Sequence, residues 1–312
     1  MAEMKKVATR DSYGAALTEL GAQHDNLVVL DADLAGATKT GTFLKAFPER
    51  HFDCGIAEAN MICVAAGMST TGLVPFASSF AMFAAGRAFE QVRNSIGYPH
   101  LNVKIGATHG GISVGEDGAS HQCCEDFALM RSIPGMTVIC PADDVEAKAA
   151  VKAAYEYEGP VYLRFGRLAV PVFHSEDYKF QIGKGEIVKD GTDVAIIANG
   201  LLAYEAIRAG ELLAEAGINA MVINMATIKP LDEELVLAAA KKCGKVITCE
   251  EHSIIGGLGE AVCGVLSEKL PTPVRRIGVN DEYGHSGPAV KLLEQFGLTA
   301  EHIVEVAKAF CK

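Results

Sequence analysis

ATHGGISVGEDGASHQ, residues 107–122, begins at the end of a run typical of a β-strand at 101–108. The stretch is rich in glycine and carries His109, Asp117 and His121. In an open α/β sheet, ligands are held by the loops that leave the carboxyl ends of the strands. A purely structural connection of this length with two histidines would be unusual. The stretch therefore predicts an α/β fold with a ligand-binding loop at one sheet edge.

Two common ligand types fit this loop poorly. It is not a phosphate loop of the G-x-x-x-x-G-K type, because no lysine follows the glycines. A metal site built from His109, Asp117 and His121 stays open as an alternative. The separation of the two histidines matches none of the usual zinc spacings.

Strand and helix signals alternate along the rest of the chain. Apolar runs predict strands at 27–30, 74–78, 101–108, 134–140, 161–165, 194–198, 220–223, 245–248 and 274–277. Helical spacing predicts helices at 12–22, 61–68, 81–96, 143–157, 203–216, 233–242 and 259–270. Short strands separated by helices indicate doubly wound, mainly parallel sheets. Residues 170–185 lack a clear period, so we predict two such domains, at 1–175 and 186–312.

Composition narrows the class of protein. The 312 residues carry a formal net charge of −11, which argues against a nucleic-acid-binding surface. The N-terminal residues lack the apolar core of a signal peptide, and no long apolar segment is free of glycine and proline breaks, so we expect no membrane span. Nine cysteines occur without a C-x-x-C pair, which favours reduced thiols in a cytoplasmic protein.

A second segment, FDCGIAEANMICVAAGM at 52–68, places one carboxylate at the head of an apolar run. After Glu58 the next charged residue is Arg87. A buried carboxylate must find a donor or take up a proton, because an unpaired buried charge costs several kcal/mol. Downstream, Phe80 and Phe83 are three residues apart and can share one face of a helical turn.

The motifs GIAEANM, PFASSFAMF and GISVGEDGASHQ, in that order, resemble the transketolase family of thiamine diphosphate enzymes. The similarity continues through RSIPGMTVICPAD into the second half of the chain. It implies a pyrimidine-binding domain followed by a transketolase C-terminal domain. No G-D-G motif with a following asparagine, which holds Mg²⁺ and the diphosphate in complete transketolases, occurs in the chain. The resemblance therefore implies the C-terminal subunit of a split transketolase, active only with an N-terminal partner in an α2β2 assembly whose partner chain binds Mg²⁺.

The resemblance also implies roles for individual residues at the cofactor. Glu58 would hydrogen-bond N1′ of the aminopyrimidine and favour its imino tautomer, while Phe80 and Phe83 would pack on the pyrimidine ring. Asp33 would lie near the thiazolium at the subunit interface. Gly86 stands where transketolases often have a third aromatic residue, and Phe89 is a candidate to replace it in part.

Further matched positions concern the sugar substrate. His109 and His121 would act with Glu58 as catalytic residues, and with Asp117 they would bind sugar hydroxyls. Arg10 and Arg167 match the arginines that grip the substrate phosphate, which suits the planar guanidinium fork. Because two arginines occur close together in sequence, Arg164 is a competitor for the role given to Arg167.

The implied activity is transfer of a two-carbon ketol unit from a phosphorylated ketose to an aldose, as in the pentose phosphate pathway. Three alternatives remain: a 1-deoxyxylulose-5-phosphate synthase, a β subunit of a 2-oxoacid dehydrogenase, and a non-catalytic partner of a thiamine enzyme. His109 favours transketolase, because a ketol donor presents hydroxyls that pyruvate lacks. The donor and acceptor sugars do not follow from the sequence.

Overall fold

The computed structural model describes residues 4–312. The strands of the first half are β1 (Lys6–Ala8), β2 (Leu27–Asp31), β3 (His51–Asp53), β4 (Val74–Phe80), β5 (Lys104–Thr108), β6 (Thr137–Ile139), β7 (Val161–Arg164) and β8 (Ala169–Pro171). Its helices are α1 (Thr9–Gly21), α2 (Ala35–Thr38), α3 (Gly41–Ala46), α4 (Glu58–Ser69), α5 (Phe89–Gln91), α6 (Asp126–Ser132) and α7 (Asp144–Glu156). Two π-helical turns, Met82–Arg87 and Val92–Gly97, flank α5, and 3₁₀ turns occupy Pro48–Arg50 and Ile112–Asp117.

The second half continues the alternation of strands and helices. Its strands are β9 (Glu186–Lys189), β10 (Val194–Ala198), β11 (Ala220–Asn224), β12 (Thr227–Lys229), β13 (Val246–Ser253) and β14 (Val274–Val279). Its helices are α8 (Leu201–Glu215), α9 (Glu233–Cys243), α10 (Leu258–Lys269), α11 (Ala289–Gln295) and α12 (Ala300–Cys311).

Two mainly parallel sheets organise the molecule. One has seven strands in the order β12-β6-β7-β5-β4-β2-β3, and only the β12–β6 pair is antiparallel. The other has five strands in the order β14-β13-β10-β11-β9, with β9 antiparallel at its edge. Every residue of β4, β5 and β10 is buried, as expected for strands covered by helices on both faces. The predicted fold class is confirmed.

The division of the chain between the sheets is less simple than the predicted boundary. Strand β12 belongs by sequence to the second half but pairs with β6 at the edge of the seven-stranded sheet. In addition, β8 pairs with β1 in a small antiparallel sheet. The domain limits 1–175 and 186–312 therefore remain a proposal.

Several elements differ from the predicted ones for identifiable reasons. Helix α4 begins at Glu58, three residues before the first apolar residue used to predict it. The predicted helix at 81–96 is interrupted by the two π-helical turns, a deviation that apolar spacing does not report. Helices α2, α3, α6, α11 and α12 have no counterpart among the predicted helices. Within residues 4–312, no helix is long and apolar enough to cross a membrane, and the nine cysteines are free thiols.

Candidate active site

Two neighbouring strand ends place the first pair of candidate residues. Strands β4 and β5 are parallel, and Phe80 lies opposite Thr108 in their register. His109, the residue after β5, adopts a left-handed φ of 57° that turns the chain away from the sheet. Its ring stacks on Phe80 with centroids 3.8 Å apart. The carboxyl edge of the sheet thus presents a stacked aromatic pair.

Phe83 and His121 extend this pair into what we call the ring cluster: Phe80, Phe83, His109 and His121. The two phenylalanine rings are nearly parallel, at 15°, with centroids 6.0 Å apart. The edge of His121 faces Phe83 at 5.3 Å and Phe80 at 6.2 Å. Four residues from three separate segments of the sequence therefore form one flat-walled surface.

Glu58 is buried at the first turn of α4, with 2% of its surface exposed. Its carboxylate finds a donor in the chain itself, because Nη1 of Arg87 lies 3.1 Å from Oε1 and 2.9 Å from Oε2. The Arg87 side chain is 52% exposed. Its guanidinium carbon sits 4.5 Å from the centre of the Phe83 ring. Arg87 therefore connects the buried carboxylate to the ring cluster.

Sequence reasoning gave Arg87 no role. One signal was available, because Arg87 is the first charged residue after Glu58. Its position depends on the π-helical turn Met82–Arg87, in which the N–H of Ala88 donates to the carbonyl of Phe83, five residues earlier. Such turns occur often at functional sites.

The contacts of His109 define its protonation. Nη1 of Arg10 donates to Nε2 of His109 at 3.0 Å, so Nε2 is the acceptor. The ring proton therefore lies on Nδ1, which donates to the hydroxyl of Thr108 at 2.9 Å. Burial, reinforced by Arg10 and Arg167, lowers the pKa of His109 to about 3. His109 is a neutral hydrogen-bonding group near pH 7.

Among the described residues, Arg10 lacks an ion-pair partner, although the charge of neighbouring Asp11 acts to raise its pKa. Besides His109, it bonds only the carbonyl of Ala37, at 3.2 Å. Among residues 4–312, no carboxylate lies within ion-pair distance of Arg10, and burial lowers its pKa. The carbonyl of Ala37 is presented by the turn after β2, where Asp31 accepts hydrogen bonds from the hydroxyls of Thr38 and Thr40 at 2.8 Å each.

Arg167 and Arg164 have different surroundings. Arg167 lies beside the loop: its Nη1 is bonded to the carbonyl of Val114 and lies 3.3 Å from Glu116 and 3.9 Å from Asp117. Arg164 is 3% exposed, and its Nε lies 3.2 Å from the buried Asp126. Arg164 is therefore already neutralised in the interior, whereas the charge of Arg167 is close enough to Arg10 to help burial lower the pKa of Arg10.

Two candidate positions lie apart from the ring cluster. Asp33 is exposed and in a left-handed conformation, and its N–H donates to Asp53 at 3.0 Å. No contact within the described chain joins it to the four rings. At Gly86, a Cβ atom would lie 2.4 Å from the terminal methyl of Met82. Met82, rather than Phe89, fills the space that the missing side chain leaves.

The second half of the chain holds the glycine-rich loop in place. Glu251 in β13 accepts the N–H of Ser113 at 2.6 Å, and Gln122 donates to the carbonyl of His285 at 3.0 Å. Ser286 also packs against the loop, because a Cβ atom added at Gly118 would lie 2.4 Å from its hydroxyl oxygen. The site is therefore built on the first sheet and braced by the second.

The residues fit one part of a thiamine cofactor. A flat aromatic wall beside a buried carboxylate suits a planar ring with a hydrogen-bond donor, as in the aminopyrimidine. Within residues 4–312, no group of three or more histidine, cysteine or acidic residues could hold a metal ion. The metal alternative for His109, Asp117 and His121 therefore lacks a ligand set in the structure.

Comparison with known proteins identifies the family. Residues 5–172 match the family model "Transketolase, pyrimidine binding domain", and residues 183–303 match "Transketolase, C-terminal domain". A Methanocaldococcus jannaschii protein described as a transketolase C-terminal section is 54% identical over 95% of this chain and 94% of its own length. The 6-deoxy-6-sulfo-D-fructose transketolase subunit of a Clostridium species is 44% identical over 96% of this chain and 92% of its own.

A solved structure agrees with these matches. The structure titled "Split gene transketolase, inactive beta4 tetramer" superposes with a TM-score of 0.91, at 54% identity, and covers 97% of this chain and 98% of its own. This chain therefore belongs to the transketolase family and corresponds to the C-terminal section of a split transketolase.

Proposed function

We propose that this chain is the C-terminal catalytic subunit of a two-chain transketolase, which moves a two-carbon ketol unit from a phosphorylated ketose to an aldose. The observation that carries the proposal is the ring cluster flanked by buried Glu58 on one side and by Arg10 on the other. In this arrangement, the ring cluster can bind a flat heterocycle and Arg10 can bind the anionic group of a sugar.

The family uses thiamine diphosphate, which supplies a nucleophilic carbon and an electron sink when bound. In this chain, Glu58 is the group that would accept a hydrogen bond from the protonated N1′ of the aminopyrimidine and so favour the imino tautomer, and Phe80 and Phe83 would exclude water from one face of that ring. The ligands of Mg²⁺ and of the diphosphate are proposed to lie on the N-terminal partner, in an α2β2 assembly. Asp33, which is exposed, is retained as an interface residue in this proposal.

The remaining residues act on the sugar. No carboxylate in the described part of the chain lies within ion-pair distance of Arg10, so Arg10 is available to an anionic group on the substrate, and Arg167 lies near enough to share it. Asp117 and neutral His109 hydrogen-bond hydroxyls at the reacting end. His121, which is half-buried and bonded to Ser120 at 3.0 Å, is the better placed histidine to exchange a proton with water.

Reconstitution tests the proposal. The chain is co-expressed with an N-terminal transketolase section from the same genome and assayed for ketol transfer from xylulose 5-phosphate with thiamine diphosphate and Mg²⁺. Activity is expected only when both chains are present. Turnover by this chain alone would contradict the need for a partner.

The donor panel separates the remaining activities. Since one relative is named for a sulfonated ketose, 6-deoxy-6-sulfofructose is tested beside phosphorylated ketoses. Pyruvate with glyceraldehyde 3-phosphate tests for a deoxyxylulose phosphate synthase.

Glu58→Gln is expected to abolish turnover, with Glu90→Gln as a control on an exposed glutamate of the neighbouring helix. Normal turnover in the Glu58→Gln complex would remove the proposed mechanism.

A further inference from the structure

The position of Arg87 is unusual for a half-exposed arginine. Its planar guanidinium lies on Phe83, and one nitrogen reaches both oxygens of buried Glu58. A flat hydrogen-bond donor thus already occupies the space between an aromatic wall and a buried carboxylate.

The aminopyrimidine of the proposed cofactor needs the same two contacts. With N1′ protonated, as in the imino tautomer, it is also a flat hydrogen-bond donor, and the proposed function assigns it to the same carboxylate and the same aromatic wall. Two flat donors cannot use Phe83 and Glu58 together. We infer that Arg87 is a placeholder that holds the pyrimidine position in the cofactor-free chain and leaves it when the cofactor binds, an inference that rests on the proposed function.

In the cofactor-free chain, the buried carboxylate of Glu58 needs a hydrogen-bond donor, which the placeholder supplies. Glu58 is 2% exposed, and Arg87 is the one side chain among residues 4–312 that hydrogen-bonds its carboxylate. A buried carboxylate with no partner is strongly destabilising. Arg87 therefore keeps the site folded until the cofactor supplies another donor.

The geometry also allows Arg87 to leave. Its side chain is 52% exposed, so water can take up the guanidinium as it moves out. The contact uses a single nitrogen, Nη1, rather than the two-nitrogen fork that makes the strongest arginine–carboxylate pairs. The residue also stands at the end of the π-helical turn Met82–Arg87, close to solvent.

A different role makes the opposite prediction. If Arg87 stayed in place and oriented Glu58 for catalysis, removing it would weaken cofactor binding. A placeholder competes with the cofactor, so its removal strengthens binding. Cofactor affinity therefore separates the two roles, and a purely structural role would leave that affinity unchanged.

The first experiment uses the isolated chain and needs no cofactor. Thermal unfolding is compared for the parent chain, Arg87→Ala, Glu58→Gln and the double variant. Arg87→Ala is expected to lower Tm by roughly 5 °C, and the double variant is expected to recover most of the loss because no buried charge remains. Arg93→Ala, which removes an exposed arginine bonded only to its neighbour Asn94, is the control. Equal effects of Arg87→Ala with and without Glu58 would overturn the pairing.

The second experiment measures thiamine diphosphate binding to the two-chain complex by calorimetry at fixed Mg²⁺. Arg87→Ala is expected to lower Kd about tenfold, since the cofactor no longer displaces a charge-assisted hydrogen bond. Arg87→Gln, which keeps a planar donor without the charge, should fall between and serves if the alanine variant does not fold. An unchanged or larger Kd in both variants would overturn the inference.

Failure of the proposed function is recognised separately. If the Glu58→Gln complex bound the cofactor and turned over like the parent, Glu58 would not be the pyrimidine partner. That outcome does not depend on how Arg87→Ala affects Tm or Kd. An unchanged Kd in the arginine variants with a dead Glu58→Gln complex would instead reject the placeholder alone.

Discussion

Two arginines, the buried Arg164 and the half-buried Arg10, have opposite surroundings. Arg164, between the two sheets, has Asp126 at 3.2 Å and donates to the carbonyls of Cys123 and Glu251 at 3.1 and 2.8 Å. Arg10, at the ring cluster, has one carbonyl and a neutral histidine. Within residues 4–312, a carboxylate pairs with Arg164, which joins the two halves, whereas none pairs with Arg10, which lies at the site.

Other groups around Arg164 are also hydrogen-bonded within the chain. The hydroxyl of Tyr162 donates to Asp126 at 2.8 Å. His252 accepts the N–H of Phe127 at Nε2 and donates from Nδ1 to the carbonyl of Ser253, and burial lowers its pKa to about 4. Burial alone would lower the pKa of Arg164, but the neighbouring groups, led by Asp126 and including Glu251, together outweigh burial and raise that pKa. An arginine that pairs with a carboxylate of its own chain, such as Arg164, is expected to have a structural role. An arginine without such a partner, such as Arg10, is expected to bind an anionic ligand.

The largest expected effect is the loss of the structural arginine. Arg164→Met leaves Asp126 charged in the interior, so the free energy of unfolding should fall by about 3–5 kcal/mol. Denaturant unfolding measures it. Adding Asp126→Asn to Arg164→Met should restore part of the loss. A loss below about 1 kcal/mol would erase the contrast with Arg10.

Arg10→Ala should show the reverse pattern. No carboxylate is orphaned, so the free energy of unfolding should change little. The kcat/KM of the reconstituted enzyme for a phosphorylated ketose should fall by roughly 30- to 100-fold, equivalent to about 2–3 kcal/mol. The loss should be smaller for an unphosphorylated donor, and an equal loss for both donors would argue against an anion-binding role.

His174 is another buried group that is paired with carboxylates of the chain, and its contribution to stability can be tested by changing the pH. Its Nδ1 lies 3.0 Å from Asp143 and its Nε2 lies 2.9 Å from Glu186, so both ring nitrogens face carboxylates. Burial alone would lower the pKa of His174, but the hydrogen bonds to Asp143 and Glu186 outweigh it and raise the pKa to about 9. Protonated His174 therefore stabilises the folded chain. This contribution is complete below the unfolded-state pKa near 6.5 and is lost as pH rises through about 9.

The measurement is the difference in unfolding free energy between the parent chain and His174→Gln across pH 6 to 10. We expect the parent's advantage to shrink by about 2 kcal/mol over that range. Using the difference cancels other groups that titrate in the same interval. A difference that is independent of pH would show that His174 is not charged in the folded chain.

The smallest expected effect concerns the edge of the ring cluster. Gly86→Ala places a methyl 2.4 Å from the terminal methyl of Met82, which is flexible and can move. The free energy of unfolding should fall by less than about 1 kcal/mol. Met82→Ala should remove the penalty of the added methyl. A loss that persists in that background would show that the helix backbone, rather than Met82, limits the space.

Much of the fold follows from local sequence. The long apolar runs predict the central strands, because strands covered on both faces need continuous apolar residues. Short edge strands such as β3 and β12 carry little signal, since pairing with a distant neighbour defines them. The helix at 81–96 shows the same limit: apolar spacing predicts a helix, but its π-helical turns set the direction in which Arg87 points.

The candidate site divides in the same way. Motifs identify Glu58 and the four residues of the ring cluster as candidates, and the structure brings these rings together. The choice between Arg164 and Arg167 needs the structure, because Asp126 lies far from both in sequence and reaches only Arg164. The contact between Arg87 and Glu58 likewise depends on the π-helical turn between β4 and α5.

The crossing of β12 into the seven-stranded sheet limits how the polypeptide can be shortened. A fragment that stops near residue 175 would lack Thr227–Lys229 and leave one side of β6 with unsatisfied backbone groups. Exposed edge strands of this kind can pair with strands of other chains and promote aggregation. Fusions and truncations that respect the two family modules should therefore keep 227–229 attached, and folding during synthesis cannot finish the first sheet until the second half has emerged.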